Sequence, residues 1–252
     1  MKPLAGSATL VSVILALSCF APNGERNVPS TVIWAWERPE DLRFLDPGRH
    51  AVAFLAQTLI LKNDSVEVIP RRQPLAINPG SYVIAVTRIE SSRRSDERPS
   101  LSTTQREAVI VHLQESVKLP EVRAIQVDFD AVASEREFYR TLIIDTRSRI
   151  GPDLTLTITA LASWCSGDRW LVGLPIDDAV PMLFDIGPQR NEILRDLKGG
   201  TDWNEPLCRN SYGVSVNEPP LSGLKPGRRI YLFKDAAWNA DDLARIDKIH
   251  EN

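Results

Sequence analysis

The sequence reads as an α/β protein of the (β/α)₈, TIM-type barrel class. Eight runs with strand character recur between Thr31 and Phe233, most of the connections between them carry helical periodicity, and several runs end in a charged, amide or tryptophan side chain. A chain of 252 residues, 43% hydrophobic and 25% charged, has the length and composition of one such domain. A parallel barrel gathers the C-terminal ends of its strands on one face, where loops vary without disturbing the core. There is no internal repeat and no low-complexity segment.

Residues 1–18 read as a signal peptide. Lys2 precedes the apolar run from Leu10 to Leu17, too short to span a bilayer but the right length for a signal h-region. The run ends Leu15-Ala16-Leu17-Ser18-Cys19, which resembles the lipobox of bacterial lipoproteins with Ala16 in place of the usual Leu. Cys19 is then the expected lipidated residue; a plain secretory signal cut nearby is the alternative. Residues 19–30 form a polar tether and residues 31–252 the barrel domain.

The first strand is Thr31 to Trp36, followed by Glu37 and a helical turn. The second, Ala51 to Ala56, ends near Gln57, and Thr58 to Ile69 form a hairpin-like excursion about Asn63-Asp64-Ser65. The third is Ser81 to Glu90, with Arg88 and Glu90 on one face. A charged loop then leads to a helix opened by Ser102, Thr103 and Thr104 and carrying Ile110, Leu113 and Val117. The fourth strand runs from Val122 to Asp130. Ser134, three residues before Glu137, has capping-box spacing for the helix that follows, with Phe138, Tyr139, Leu142, Ile143 and Ile150 on its apolar face. The fifth, Asp153 to Ala162, finishes at Trp164 and Cys165. Val180 to Phe184 is a short sixth strand around which the barrel is irregular, and an incomplete barrel is the alternative. A helix from Gln189 to Leu197 stops at Gly199-Gly200. Tyr212 to Glu218 and Arg229 to Phe233 are the last strands, with Trp238 beyond and a closing helix from Asp241 to His250.

The fourth strand carries the chemistry. Ile125, Val127 and Phe129 alternate with Gln126, Asp128 and Asp130, and a period of two puts the polar three on one face, toward the barrel interior. The catalytic candidates are Asp128, Asp130 and Glu218. The substrate-binding candidates are Trp36, Glu37, Gln57, Arg88, Glu90, Gln126, Trp164 and Trp238. Carboxylates beside flat aromatic faces suit a sugar, and two carboxylates flanking a glycosidic bond can act as acid and as base or nucleophile. Mutual repulsion and desolvation should raise the pKa of Asp128 or Asp130, with Glu218 across the same pocket. The plainer readings are that Asp130 caps nearby backbone, that the tryptophans are core, and that Arg88 and Glu90 are a structural ion pair.

A net charge of −3 and the lack of a basic patch interleaved with aromatics argue against nucleic-acid binding. His50, His112 and His250 show no ligand spacing, no Gly-x-Ser-x-Gly elbow occurs, and Lys198-Gly-Gly-Thr lacks the flanking pattern of a phosphate loop, so neither metal nor other cofactor is expected. In an exported chain Cys165 and Cys208 have an oxidising environment. Their nominal places at opposite strand ends leave pairing open, since only a long loop near residues 198–211 would join them. The expected partners are a carbohydrate or other small polar ligand and, through the lipid anchor, the membrane on the periplasmic side of the envelope.

Four ordered motifs, Trp34 to Leu42, Ile125 to Asp130 with Ser134 to Arg136 and Phe138-Tyr139, Thr159 to Cys165, and Val180 to Phe184, together resemble a bacterial family catalogued as domain of unknown function 3142. The likeness spans nearly all of the mature chain and implies no activity. A second, weaker likeness is to the chitinase-like glycoside hydrolase barrels, whose fourth strand carries Asp-x-Asp-x-Glu. At that spacing this chain has Gln126, Asp128 and Asp130, so the family's acidic Glu is replaced by a shorter Asp. The resemblance implies a carbohydrate-active or sugar-binding barrel acting on or binding envelope glycans. Its rival is a non-catalytic envelope lipoprotein that binds or scaffolds.

Overall fold

The computed structural model describes residues 28–248. The signal peptide, Cys19 and most of the tether lie outside the described residues, as does the end of the expected closing helix. In chain order the strands are β1 (Thr31–Ala35), β2 (Glu40–Asp41), β3 (His50–Lys62), β4 (Ser65–Pro70), β5 (Leu75–Ala76), β6 (Tyr82–Ser91), β7 (Val122–Asp128), β8 (Thr155–Leu161), β9 (Asp178–Met182), β10 (Ser211–Ser215) and β11 (Arg229–Phe233). The helices are α1 (Thr103–Val117), α2 (Arg136–Ile150), α3 (Ala162–Ser166), α4 (Arg190–Lys198) and α5 (Leu243–Lys248). Strands β1, β3, β6, β7, β8, β9, β10 and β11 pair in parallel in that order, and β1 pairs with both β3 and β11, which closes the ring. The fold is the closed eight-stranded barrel that the sequence predicts.

Alternation in the strands builds two apolar layers. Ile125, Val127, Leu156, Ile158 and Ala179 point outward and pack with Val109, Ile110 and Leu113 of α1 and Tyr139, Leu142 and Ile143 of α2. Val32, Trp34, Ala51, Ala53, Ile84, Val86, Ala124, Val180, Tyr231 and Phe233 form a second cluster drawn from strands alone, which fills the lumen. Each large apolar side chain so buried is worth roughly 1.5–3 kcal/mol relative to exposure. The Phe233 ring packs on Trp34, at 4.6 Å between centroids, and on Phe184, at 4.7 Å. Gly213 opposite permits this, because a Cβ there would stand 3.2 Å from the Phe233 ring.

Three local expectations are revised. The second strand does not stop near Gln57: a bulge between Leu55 and Gln57 shifts the register, and β3 continues to Lys62, where it folds back as antiparallel β4. The sixth strand starts earlier than expected, at Asp178. It is fully paired with β8, yet its register with β10 consists of the single pair Gly213 and Met182, which is the irregularity of this sector. Ser134 and Glu137 do not form a capping box. The chain first makes a 3₁₀ turn at Ala133–Glu135, where the Glu135 carboxylate accepts from the Val132 N–H at 2.9 Å, and α2 begins only at Arg136. Ser102, by contrast, caps α1, its hydroxyl accepting from the Gln105 N–H at 3.2 Å. Cys165 in α3 and Cys208 beside β9 are joined by a disulfide with their Cα atoms 5.8 Å apart, so the loop after α4 does bring the two ends together.

Candidate functional site

Because Ala124 lies in the lumen cluster, strand alternation carries Gln126 and Asp128 to the same face, while Ile125 and Val127 face the helices. Asp128, the last residue of β7, is buried at 4% exposure. Its Oδ1 accepts from the Thr159 hydroxyl of β8 at 2.7 Å and its Oδ2 from Arg88 Nη1 of β6 at 3.3 Å. Arg88 also donates through Nε to Glu90 at 2.8 Å. Burial raises the Asp128 pKa, Arg88 and Thr159 act against the rise, and the neighbouring Asp130 and Glu90 add to it. Asp130 stands beyond the strand end, at the lip rather than in the interior. It makes no hydrogen bond among the described residues. Desolvation pushes its carboxyl up, Arg88 pulls it down and Glu90 pushes it up again.

Arg88, Glu90, Asp128 and Asp130 line a cleft of about 640 Å³ at the C-terminal ends of β6 and β7, and residues of the loop from Ser92 to Leu101 line it as well. This is the face on which a parallel barrel carries its chemistry.

Other expected site residues stand elsewhere. The Gln57 amide, turned outward by the bulge, donates to the Thr87 hydroxyl, the His112 carbonyl and the Ser116 hydroxyl, so it clamps α1 to the barrel. Trp164 is buried on α3 outside the barrel, edge-on to Trp170 at 4.8 Å. Trp238 is buried too, and its indole N–H donates to the Trp34 carbonyl at 2.9 Å while its backbone N–H reaches the buried Glu40 carboxylate at 3.0 Å. Glu37 accepts from the backbone of Arg72 and Gln73 and holds the return from β4. Trp36 packs on Trp34 and Phe233 and is not in the cleft wall. Glu218, just past β10 and three strands round the ring from β7, pairs with Arg190 at 2.7 Å and is likewise outside that wall. Local bonding reached these side chains first.

A second polar group runs from the middle of the lumen to its N-terminal end. Gln126 on β7, Thr157 on β8 and Asp178 on β9 are register partners across adjacent strands, with Ser211 on β10 beside them. Both polar atoms of Gln126, the Thr157 hydroxyl, both Asp178 oxygens and the Ser211 hydroxyl are buried without a well-formed hydrogen bond. Arg229 stands 3.6 Å from Asp178. Burial pushes the Asp178 carboxyl up to about 6, against the pull of Ser211 and Arg229. The sequence signal for this group was faint, since Asp178 precedes the apolar core of its strand by two residues. Among the described residues no group of three His, Cys, Asp or Glu is placed to hold a metal ion.

Among solved structures the chain is similar to a protein from Streptomyces coelicolor assigned as chitinase A, with a TM-score of 0.52 and 9% identity over 89% of this chain and 96% of that one. The likeness is one of fold, the closed eight-stranded parallel barrel. The chitinase domain of the spore coat protein CotE from Clostridium difficile also matches, with a TM-score of 0.43 and 15% identity over 93% of this chain and 74% of that one. No protein-family model and no curated protein matches the chain, so the likeness to domain of unknown function 3142 stands on its four motifs alone.

Proposed function

We propose that the chain is an exported, lipid-anchored barrel protein that acts on envelope glycans, with Asp130 as proton donor to a glycosidic oxygen. The observation that carries this reading is the contrast within one cleft between a free carboxyl and a tied one. Asp130 lines the cleft with no hydrogen-bond partner among the described residues and with its pKa raised, as a general acid requires. Asp128 is held by Thr159 and Arg88, and is the second carboxyl available for the base or nucleophile role. Desolvation raises the proton affinity of Asp130, and the fixed charges of Arg88 and Glu90 oppose and add to that rise, respectively. Glu218 has no part in this scheme, since Arg190 engages it outside the cleft.

A second reading, a non-catalytic envelope protein that binds or scaffolds, is supported by those same ties: Arg88 and Thr159 hold Asp128, and Arg190 holds Glu218. The deciding experiment is a panel of envelope oligosaccharides incubated with purified protein, with products read by mass spectrometry and binding read by calorimetry. Hydrolysis that vanishes in Asp130→Asn while binding persists supports the enzyme. Hydrolysis unchanged in that variant removes Asp130 from the mechanism, and binding without turnover in the wild type favours the binder. Export is tested separately: Cys19→Ala should leave the membrane pellet, and retention there would rule out the anchor.

A further inference from the structure

The charges in the cleft that remain uncommitted narrow its ligand, and this inference rests on the glycan reading above. Arg93 and Arg98, on the loop between β6 and α1, line the same cleft as Asp128 and Asp130. Their neighbour Arg94 is occupied by Asp96 at 3.1 Å and Glu97 at 3.5 Å, and Arg88 is occupied by Glu90 and Asp128. Arg93 and Arg98 are exposed and enter no ion pair or hydrogen bond among the described residues. Of the acids in the wall, Glu90 and Asp128 belong to Arg88 and Glu135 belongs to the Val132 N–H. In a chain of net charge −3, the cleft therefore offers free guanidinium groups and one uncommitted carboxyl, that of Asp130.

Exposed arginines are more often simply solvated, but these two are carried on an anchored loop. The Asn63 N–H donates to the Glu97 carbonyl at 3.2 Å, the Ser100 N–H to the Asn63 carbonyl at 2.7 Å, and the Leu101 N–H to the Gln105 side chain at 3.0 Å. Leu101 is held with φ at 55°, a conformation that a leucine adopts only when its surroundings impose it. Ser91, in the same wall, keeps a buried hydroxyl without a partner. Arg93 and Arg98 reach the cleft from the loop between β6 and α1, whereas Asp130 reaches it from just past the end of β7.

We propose that this cleft takes an acidic glycan, in which a sugar carrying a carboxylate or another anionic substituent is held by Arg93 and Arg98 at a subsite removed from the bond that Asp130 addresses. A guanidinium fork matches planar anions and gains from charge-assisted hydrogen bonds, whereas a neutral sugar offers it only hydroxyls. A ligand positioned there would be gripped away from the chemistry, which is how remote contacts orient a reacting bond.

The test is equilibrium binding of the purified protein to length-matched neutral hexosamine, uronate and sulfated oligosaccharides, at low and physiological salt. Wild type is compared with the double variant Arg93→Ala, Arg98→Ala, whose fold is checked by circular dichroism. The acidic oligosaccharides should bind about tenfold tighter than the neutral ones at low salt, with the advantage shrinking as salt rises and vanishing in the double variant. Affinity for the neutral oligomer should stay within about twofold in that variant. A preference for uronate over sulfated oligomers identifies the anion as a carboxylate, and the reverse identifies a tetrahedral one. Equal affinity for neutral and acidic sugars, or an acid preference that survives the double substitution, overturns this inference and leaves the glycan reading intact. Failure of every oligosaccharide to bind overturns both.

Discussion

The barrel holds a carboxylate beside an arginine at each end of its lumen, and the two pairs differ in what else they touch. At the mouth, Asp128 lies 3.3 Å from Arg88, receives the Thr159 hydroxyl and opens onto the cleft. At the floor, Asp178 lies 3.6 Å from Arg229, accepts no well-formed hydrogen bond and is sealed at 2% exposure. Both carboxyls are raised in pKa by burial. A raised carboxyl is therefore not by itself a mark of chemistry, because structural burial produces the same shift. What separates the ends is access: the mouth places a second carboxyl, Asp130, where a ligand can reach it, whereas at the floor the carboxyl itself is enclosed beside the buried Ser211 and the half-buried Arg229.

The largest effect that would break this comparison is on turnover. If the mouth is the reacting end, Asp130→Asn should lower hydrolysis of any glycan substrate by about 10²–10⁴-fold, while Asp178→Asn should leave it near wild type. Steady-state kinetics on both variants decides it. Equal losses in the two would mean that the distinction between the ends is false.

The next effect is on stability and sits at the floor. The folded pKa of Asp178, about 6, lies above the ordinary 3.8, so the folded state favours the neutral acid. The sign follows from linkage: the contribution is fully present below pH 3.8, fades as pH rises through about 6, and is gone above it. The groups that bear on this carboxyl are Ser211, Arg229 and Asp177, with Tyr231 alongside. That shift corresponds to about 3 kcal/mol in all, of which about 2 kcal/mol is lost between pH 4 and pH 7. Asp178→Asn should flatten that slope and melt higher than wild type at pH 7, as denaturant titrations at the two pH values would reveal. An unchanged slope would show that Asp178 titrates normally.

At the mouth, Arg88→Met removes the cation from Asp128, Asp130 and Glu90 together. The loss should be about 2 kcal/mol at pH 7 and smaller in acid, as the raised Asp128 and Asp130 carboxyls take up protons. This is opposite in direction to the floor variant, so the pair of pH series distinguishes the two ends without any substrate. A loss at pH 4 as large as at pH 7 would assign Arg88 to packing rather than charge.

Which of these features the sequence reveals depends on how local their causes are. The alternation from Ile125 to Phe129 is a local property, and it gives both the strand and the inward turn of Gln126 and Asp128. The closed ring follows from repeated strand and helix signals. Gln57 shows where such reading stops, because one bulge between Leu55 and Gln57 turns the rest of the strand over, and no residue type there announces it. Trp164 and Trp238 were expected at the mouth from position along the chain, but an aromatic that finds core nearby is buried by the larger apolar gain. Glu218 and Glu37 are claimed by Arg190 and by the backbone of Arg72, partners distant in sequence that no spacing rule anticipates. The pairing of Cys165 with Cys208 likewise depends on the path of the loop after α4.

The smallest effect concerns Gln126, which stands between the two ends. It lies on the same face of β7 as Asp128 but is fully buried, and both polar atoms of its amide lack partners. An unsatisfied buried amide costs about 1–3 kcal/mol, whereas an apolar residue of similar volume in a lumen already lined by Ile84, Val86 and Val180 forfeits nothing. If Gln126 belongs with the floor as lumen filling, Gln126→Leu should raise stability by about 1 kcal/mol in urea titrations and leave glycan binding unchanged. If it belongs with the mouth, the same change should weaken ligand binding whatever it does to stability. A variant both more stable and intact in binding would place the boundary between the ends above Gln126, confining the site to Asp128, Asp130 and the arginines around them.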